Sequence, residues 1–365
     1  MDDQRWWLSG PISVNISDQG KEVRSPSGGA PLRVTEAVLN LLGRATEGIG
    51  LSDVIQATGR AESEVNQLLQ FLVDEGYLVQ SRDLVQKRTE PWTYWGDVAF
   101  TYHRDLLNST FTEGVAAEEL TAAQRDDSRP SSFSEVTNRD DVILLPRGFR
   151  LPSADFVEVF ISRRTTRRFS GNATDLDAFS SLLWLCLSPM RFIDAGELGV
   201  LGLRTAASAG GRMSHDAYVL VVNVAGVQAG TYEYDPLRHG IVLVRDGDPS
   251  PMLDDLLYGQ SFAEGAGFAI FLVARPMRLA WKYRHPIAYK LIWQDAGHLS
   301  QSISVCANYV GLSCAMTGAI RFSMAQEMLA LQDPDFSTFA LILGEATHEL
   351  PATTSLAPAV APEYY

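Results

Sequence analysis

Between Ala288 and Val310 the apolar residues fall at positions 288, 292, 296, 299, 303, 306 and 310, stepping by four and three. That rhythm follows the helical period of about 3.6 residues and predicts a helix over 287–310 with one buried stripe, stopped by Gly311. Shorter apolar runs read as strands over 218–224, 241–244, 268–274 and 339–343, and 231–234 is placed to pair with 241–244 across Pro236–Gly240. Helices are expected over 153–164 and 178–187, the second with Leu182, Leu183, Leu185 and Cys186 on a mostly apolar face. Strands mixed with long helices make residues 151–350 an α+β or α/β domain.

The 365 residues exceed what one such domain needs, and residues 1–90 read as a separate small unit. Three strand candidates, Trp6–Ser9, Ile12–Ile16 and Glu22–Ser25, precede three helix candidates, Val34–Arg44, Leu51–Thr58 and Ser63–Glu75, with Gly59 and Gly76 as stops. Tyr77–Gln80 and Leu84–Gln86 then flank Ser81-Arg82-Asp83 as the hairpin of a winged helix-turn-helix would. Residues 91–150 form a connector, aromatic over Pro91–Asn108 and acidic and polar over Thr112–Asp141, where a mobile or surface-wrapped segment is expected. Residues 351–365 are a tail.

Charge and cysteine usage narrow the function. The formal net charge is −14. Over 30–90 there are six basic and nine acidic residues, and Ser63–Glu75, where a recognition helix would lie, has three acids and no base. Nucleic acid is a poor partner for such a surface. Cys186, Cys306 and Cys314 all sit in apolar stretches and read as buried free thiols of a reducing compartment. The start, Met1-Asp2-Asp3-Gln4-Arg5, leads into no signal-peptide core, and no apolar run approaches the roughly 20 residues that span a bilayer, so a cytoplasmic protein is expected. The six histidines show no zinc spacing, and no phosphate-loop, dinucleotide or serine-hydrolase motif is present.

Four constellations could carry chemistry. Arg163-Arg164-Thr165-Thr166-Arg167-Arg168 puts four guanidinium groups around two hydroxyls, a set that suits a phosphate and equally a solvated helix end. Ser208-Ala209-Gly210-Gly211-Arg212 either lets backbone approach a planar ligand or makes an ordinary turn. Thr317-Gly318-Ala319 either presents a backbone N–H to a ligand or is a loop. Lys282-Tyr283 is an acid–base pair or a helix start.

Taken in order, these pieces resemble the nitroreductase superfamily of FMN flavoproteins, and more closely its SagB-type branch, the azoline dehydrogenases of ribosomal-peptide biosynthesis. The first motif, Arg-Arg-Ser-x-Arg-x-Phe, is matched by Arg163–Phe169 with Thr165 for serine. The branch's Ser-x-Gly-x-Arg is Ser208–Arg212, and its Gly-x-Tyr-x-Tyr-Asp-Pro hairpin is Gly230–Pro236 with His239. Its Lys-Tyr, Ala-Tyr and Ala-Gly-His…Gln series is Lys282-Tyr283, Ala288-Tyr289, Ala296-Gly297-His298 and Gln301. Arg284 replaces a common glycine and Ile287 a common arginine, departures on the substrate side.

The resemblance implies an α+β nitroreductase-like fold, a mixed sheet flanked by helices, behind an N-terminal winged helix-turn-helix domain. It implies FMN held by Arg163, Arg164, Thr165 and Arg167, with Ser208, Ala209, Gly210 and Arg212 reaching the ring from a partner subunit, Gln260 near the ring, and Thr317 and Gly318 against flavin N5. A site shared in this way implies a homodimer. Lys282 and Tyr283 are the implied catalytic residues, with Lys282 and Arg167 expected to lower the tyrosine's pKa. The implied reaction is oxidation of a thiazoline or oxazoline in a precursor peptide to the azole, with dioxygen as reoxidant and a cyclodehydratase as a partner. The N-terminal unit resembles the peptide-recognition element that adds a leader strand to its sheet edge; a docking or dimerisation module fits it equally. The rival readings are an NAD(P)H-dependent nitro- or quinone reductase and a flavin-free peptide-binding scaffold.

Overall fold

The computed structural model describes residues 4–25, 31–107, 129–134, 136, 139–149, 151–196, 199–284 and 288–347. Most of the connector segment expected over Thr112–Asp141, and the whole tail, lie outside the described residues. The chain divides into two compact units, Met1–Ala117 and Glu118–Tyr365.

The first unit holds strands β1 (Arg5–Leu8), β2 (Ser13–Ser17), β3 (Gly20–Arg24) and β4 (Leu32–Val34), then helix α1 (Glu36–Arg44), β5 (Ile49–Gly50), α2 (Leu51–Thr58), α3 (Glu62–Asp74), β6 (Leu78–Val79), α4 (Arg82–Thr89) and α5 (Gly96–Leu107). The first three strands are divided between two sheets. β2, β3 and β4 form one, while β1 pairs with β5 and β6 and buries Trp6 among Leu41, Leu42, Ile49, Leu69 and Leu72. Tyr77 ties the two halves by donating to the carbonyl of Val23 at 3.0 Å. The expected wing hairpin is corrected. Leu78–Val79 is a strand, but its partner is Trp7–Leu8, and the second half of the hairpin is α4. Asp83 in the first turn and the helix formers Leu84, Gln86 and Lys87 favour that outcome.

The second unit is built on a sheet in the order β14-β15-β13-β10-β11-β12-β7. Its strands are β7 (Ile143–Leu144), β10 (His215–Val221), β11 (Gly230–Asp235), β12 (Gly240–Asp246), β13 (Phe268–Ala274), β14 (Ser313–Thr317) and β15 (Phe336–Gly344), all paired antiparallel. A hairpin of β8 (Arg191–Asp194) and β9 (Val200–Leu203) stands apart; its strands are four residues each, with Arg191 and Asp194 at the ends of β8 and Gly202 within β9, and gave no strand pattern in the sequence. Helices α6 (Phe156–Ser162), α7 (Leu176–Leu187), α8 (Ser250–Leu256), α9 (Pro276–Lys282), α10 (Tyr289–Tyr309) and α11 (Phe322–Met328) complete the unit.

Strand periodicity explains why both faces are covered. β13 and β10 are buried at every residue, the mark of strands with apolar layers above and below. Ala217, Val219, Phe268, Ile270 and Leu272 meet α7 and α10 on one face, through Leu182, Leu183, Leu299 and Ile303. Leu220, Ala269, Phe271 and Val273 meet α8 and α11 on the other, through Leu253, Leu256, Ala325 and Met328. The long helix is two residues shorter at its start than its apolar rhythm predicts, and its stripe of Ile292, Ala296, Leu299, Ile303 and Ala307 is the buried one.

Candidate active site

The arginine run begins where α6 ends. Asp155 caps that helix by accepting from the amides of Val157 and Glu158, and Arg163 leaves it in an extended conformation at ψ 122°. The chain then runs beside the edge strand β14: Thr165 bridges Cys314 in parallel, and the Thr166 amide donates to the Cys314 carbonyl at 3.1 Å. Two polar atoms here are buried with no hydrogen-bond partner among the described residues, Nη1 of Arg163 and Oγ1 of Thr166. Such atoms cost about 1–3 kcal/mol each unless something meets them. An anion with several acceptor oxygens is the group that would. Arg164 turns back onto the carbonyls of Ile161 and Arg163, at 2.6 and 2.8 Å, and Arg167 is exposed.

The far end of β14 brings in three more of the expected residues. Thr317 Oγ1 donates to Gln260 Oε1 at 3.3 Å and accepts from the Ala319 amide at 3.0 Å. Gln260 is held by its own Nε2, which donates to the Leu257 carbonyl at 2.9 Å. Beside Gly318 the space is open: a Cβ there would find only a ring carbon of Phe339, 3.9 Å away.

A second cluster forms at the entrance to β10. Asp295, on the buried stripe of α10, holds the loop that precedes the strand. Its carboxylate accepts from the Ala209 amide at 2.9 Å, from Ser208 Oγ at 3.0 Å and from Ser214 Oγ at 2.7 Å. Gly210 takes φ +58°, and Lys282 Nζ donates to its carbonyl at 3.3 Å. A Cβ on Gly210 would lie 2.5 Å from both Lys282 Nζ and Tyr283 Oη, so the expected acid–base pair stands on the expected glycine loop. Arg212 is 1% exposed; its Nε and Nη2 donate to the carbonyls of Arg278 and Pro130, and its guanidinium lies 5.0 Å over the Trp281 ring.

The electrostatics of this pair correct one expectation. Tyr283 is raised, not lowered: burial and the nearby Asp295 carboxylate outweigh the pull of Arg212, and Arg167 belongs to the other cluster. Lys282 is lowered, first by burial and then by the Arg212 charge. Burial thus makes the phenol harder and the amine easier to deprotonate than usual.

The first cluster lies along β14 and the second at the start of β10, two strands that β15 and β13 separate by about 14 Å at about 4.8 Å per strand.

Sequence reasoning missed Asp295. Its signal was available: a carboxylate three residues after Ile292 and four before Leu299, on the face of a helix that must be buried. It also missed a paired charge network beneath a cavity of about 500 Å³ on the opposite face of the sheet. There Asp216 accepts from Arg278 at 2.8 Å and from Arg275 at 2.7 Å, and Arg275 also reaches Glu233. His239 is structural: buried between Ser180 at 2.8 Å and Tyr234 at 2.7 Å, it is pushed down to about 4 by burial.

A flanked sheet with an arginine-lined edge and a glycine loop on a lysine–tyrosine pair defines a class, and the comparisons name it. Residues 161–345 match the nitroreductase family, half of the chain, and the chain belongs to that family, an oxidoreductase family whose members typically bind flavin. Residues 32–82 match the IclR helix-turn-helix domain, so a domain of that type precedes the nitroreductase fold.

Two relatives and one solved structure are similar to the chain. A protein of Methanocaldococcus jannaschii named as a nitroreductase is 27% identical over 176 residues, 48% of this chain and 84% of its own. The trifolitoxin-processing protein TfxB of Rhizobium leguminosarum bv. trifolii is 23% identical over 297 residues, 80% of this chain and 75% of its own. A chain of the E. coli microcin synthetase McbBCD complex with truncated pro-MccB17 bound is similar over 67% of this chain and 97% of its own, at 16% identity and a TM-score of 0.45. Among the described residues no helix is long and apolar enough to cross a membrane.

Proposed function

We propose that the chain is an FMN-dependent dehydrogenase that oxidises thiazoline or oxazoline rings of a modified peptide to azoles. The observation that carries this reading is the convergence of Lys282 Nζ and Tyr283 Oη on the backbone of Gly210, an amine made easier to deprotonate beside a phenol made harder. A likeness to a protein named for trifolitoxin processing, spanning 80% of the chain, supports a peptide as substrate.

The residues present fit FMN. The unmet Arg163 Nη1 and Thr166 Oγ1 suit its phosphate, with Thr165 and Arg167 alongside, and the open backbone at Gly318 and the Gln260 amide suit its ring. When bound, the flavin supplies the two-electron acceptor for a hydride from the ring carbon next to Cα. Lys282 takes the Cα proton as the amine becomes an ammonium ion. Tyr283 donates a hydrogen bond to the substrate as negative charge builds on it. Asp295 holds the loop that presents Gly210 to both.

The separation of the two clusters supports a homodimer in which the Ser208–Arg212 loop of one subunit faces the arginine edge of the other. The N-terminal domain is the holder of the precursor peptide, and a cyclodehydratase the source of the azoline.

A synthetic thiazoline-containing peptide, incubated in air with the purified protein, tests the reading. Loss of two hydrogens per ring by mass spectrometry, with FMN released on denaturation, is expected. Steady NAD(P)H consumption with menadione and no azole would replace it with the reductase reading, which the M. jannaschii likeness favours. A colourless protein would leave only a peptide-binding scaffold.

A further inference from the structure

We propose that Arg212 is a positioning residue for the Lys282–Tyr283 pair, clamping the helix that carries them onto the Gly210 loop, and not a flavin contact. The proposal deepens the reading of Lys282 as base and rests on it for its catalytic consequence alone. The geometry comes first. Arg212 closes the Ser208–Arg212 loop, and from there its guanidinium grips two other segments. Nε donates to the Arg278 carbonyl of α9 at 3.3 Å, and Nη2 donates to the Pro130 carbonyl of the connector at 2.9 Å. Its face covers the Trp281 ring, one residue before Lys282. With 1% of its surface exposed, the side chain is spent on protein contacts.

Its charge has a second effect. The partners of Arg212 among the described residues are two carbonyls and an indole; none is a carboxylate. A buried cation without a counter-ion disfavours a second cation nearby. Among the described residues, the charged groups around this corner include Arg278 on the same helix, tied up by Asp216; Arg284 just past its end, donating to the Trp281 carbonyl at 3.4 Å; Asp295 from α10, tied up by the loop and 4.0 Å from His298; and Arg129 from the connector. Arg212 therefore moves Lys282 toward its neutral amine, the form that can accept a proton.

Competitive labelling tests this on the full-length, FMN-loaded protein without any azoline. Trace acetic anhydride is applied across a pH series, and acylation of Lys282 is quantified by mass spectrometry. In the wild type Lys282 is expected to titrate below the ordinary lysine value of about 10.4. Arg212→Gln is expected to raise that midpoint and slow acylation near pH 8 by about threefold or more, because well below the midpoint the neutral amine falls as the midpoint climbs. Arg212→Lys should hold the midpoint low, and FMN retention in Arg212→Gln should stay within about twofold of wild type, where loss of a charge-assisted contact would cost tenfold or more.

A wild-type Lys282 titrating as an ordinary lysine overturns the proposal. So does an unchanged midpoint in Arg212→Gln, or FMN loss in that variant with Lys282 unmoved. Should Arg212→Gln not fold, an ordinary midpoint in either wild type or Arg212→Lys is decisive against it. Labelling as expected without azole formation leaves the positioning role standing and removes the azoline reading.

Discussion

Gly210 decides where the proposed acid–base pair can stand. Its positive φ and its closeness to Lys282 Nζ and Tyr283 Oη leave no room for a methyl group. Gly210→Ala should keep its FMN yet lose azoline oxidation by roughly 10²-fold, read as turnover per bound flavin, because the pair is displaced and not removed. Lys282→Ala and Tyr283→Phe should each lose roughly 10²–10⁴-fold with flavin retained. An FMN-replete double variant with near-wild-type turnover would reject the catalytic assignment. At the other cluster Arg163→Ala should weaken FMN retention roughly ten- to a hundredfold, since a charged hydrogen bond is worth about 1.5–3 kcal/mol; equilibrium dialysis reads it.

His215 makes a prediction of its own. It is buried and pushed down to about 3 by burial, whereas an unfolded histidine titrates near 6.5. Between those values the unfolded chain binds the extra proton, so the stability His215 contributes is whole above about pH 6.5 and is lost as pH falls, by up to about 1.4 kcal/mol for each pH step of one. His239 acts in the same direction, while Glu233, raised by burial, opposes both. Relative to its own Tm at pH 7.5, His215→Gln should therefore lose less Tm at pH 5 than wild type does; equal losses would exclude His215 as the titrating group. Legibility at this scale was uneven. Arg163, Gly210 and Lys282 stand out through the order of their motifs along the chain, since each by itself also fits a helix end, a turn or a helix start. Asp295 and the burial that raises Tyr283 depend on what packs across them, which no local pattern states.

Elements whose pattern coincides with their packing were readable. The α10 stripe and β13 are uniform over several turns or residues, and α2 starts and stops at glycines 50 and 59. The failures lie where a short segment has two potential partners. Leu78–Val79 could pair with its own hairpin or with Trp7–Leu8, and the burial of Trp6 settles it in favour of β1. β4 is three residues long and merges in the sequence pattern with the start of α1, though Thr35 caps that helix one residue later by accepting from the Val38 amide. An element-scale prediction concerns the N-terminal unit. A chain lacking residues 1–117 should keep FMN and oxidise a short azoline peptide, but process the full precursor with a KM raised at least tenfold. An unchanged KM would make the unit a docking or dimerisation module.

At the scale of the whole molecule, the placement of the clusters on either side of β15 and β13 was invisible in the sequence, because chain order says nothing of strand order. The proposed dimer makes flavin and assembly interdependent, so analytical ultracentrifugation should show dimers that dissociate as flavin is lost. A monomer with stoichiometric FMN would contradict it.

That separation also has a genetic consequence. At an FMN concentration that fills the wild-type site but leaves the Arg163→Ala site largely empty, an Arg163→Ala chain and a Lys282→Ala chain are each expected to be nearly inactive alone. Mixed equally and allowed to reassort, half of the dimers become hybrids, and each hybrid carries one site with both defects and one with neither. Two dead proteins should then complement one another to about a quarter of wild-type activity, whereas sites completed within a single chain would leave the mixture as silent as its parts.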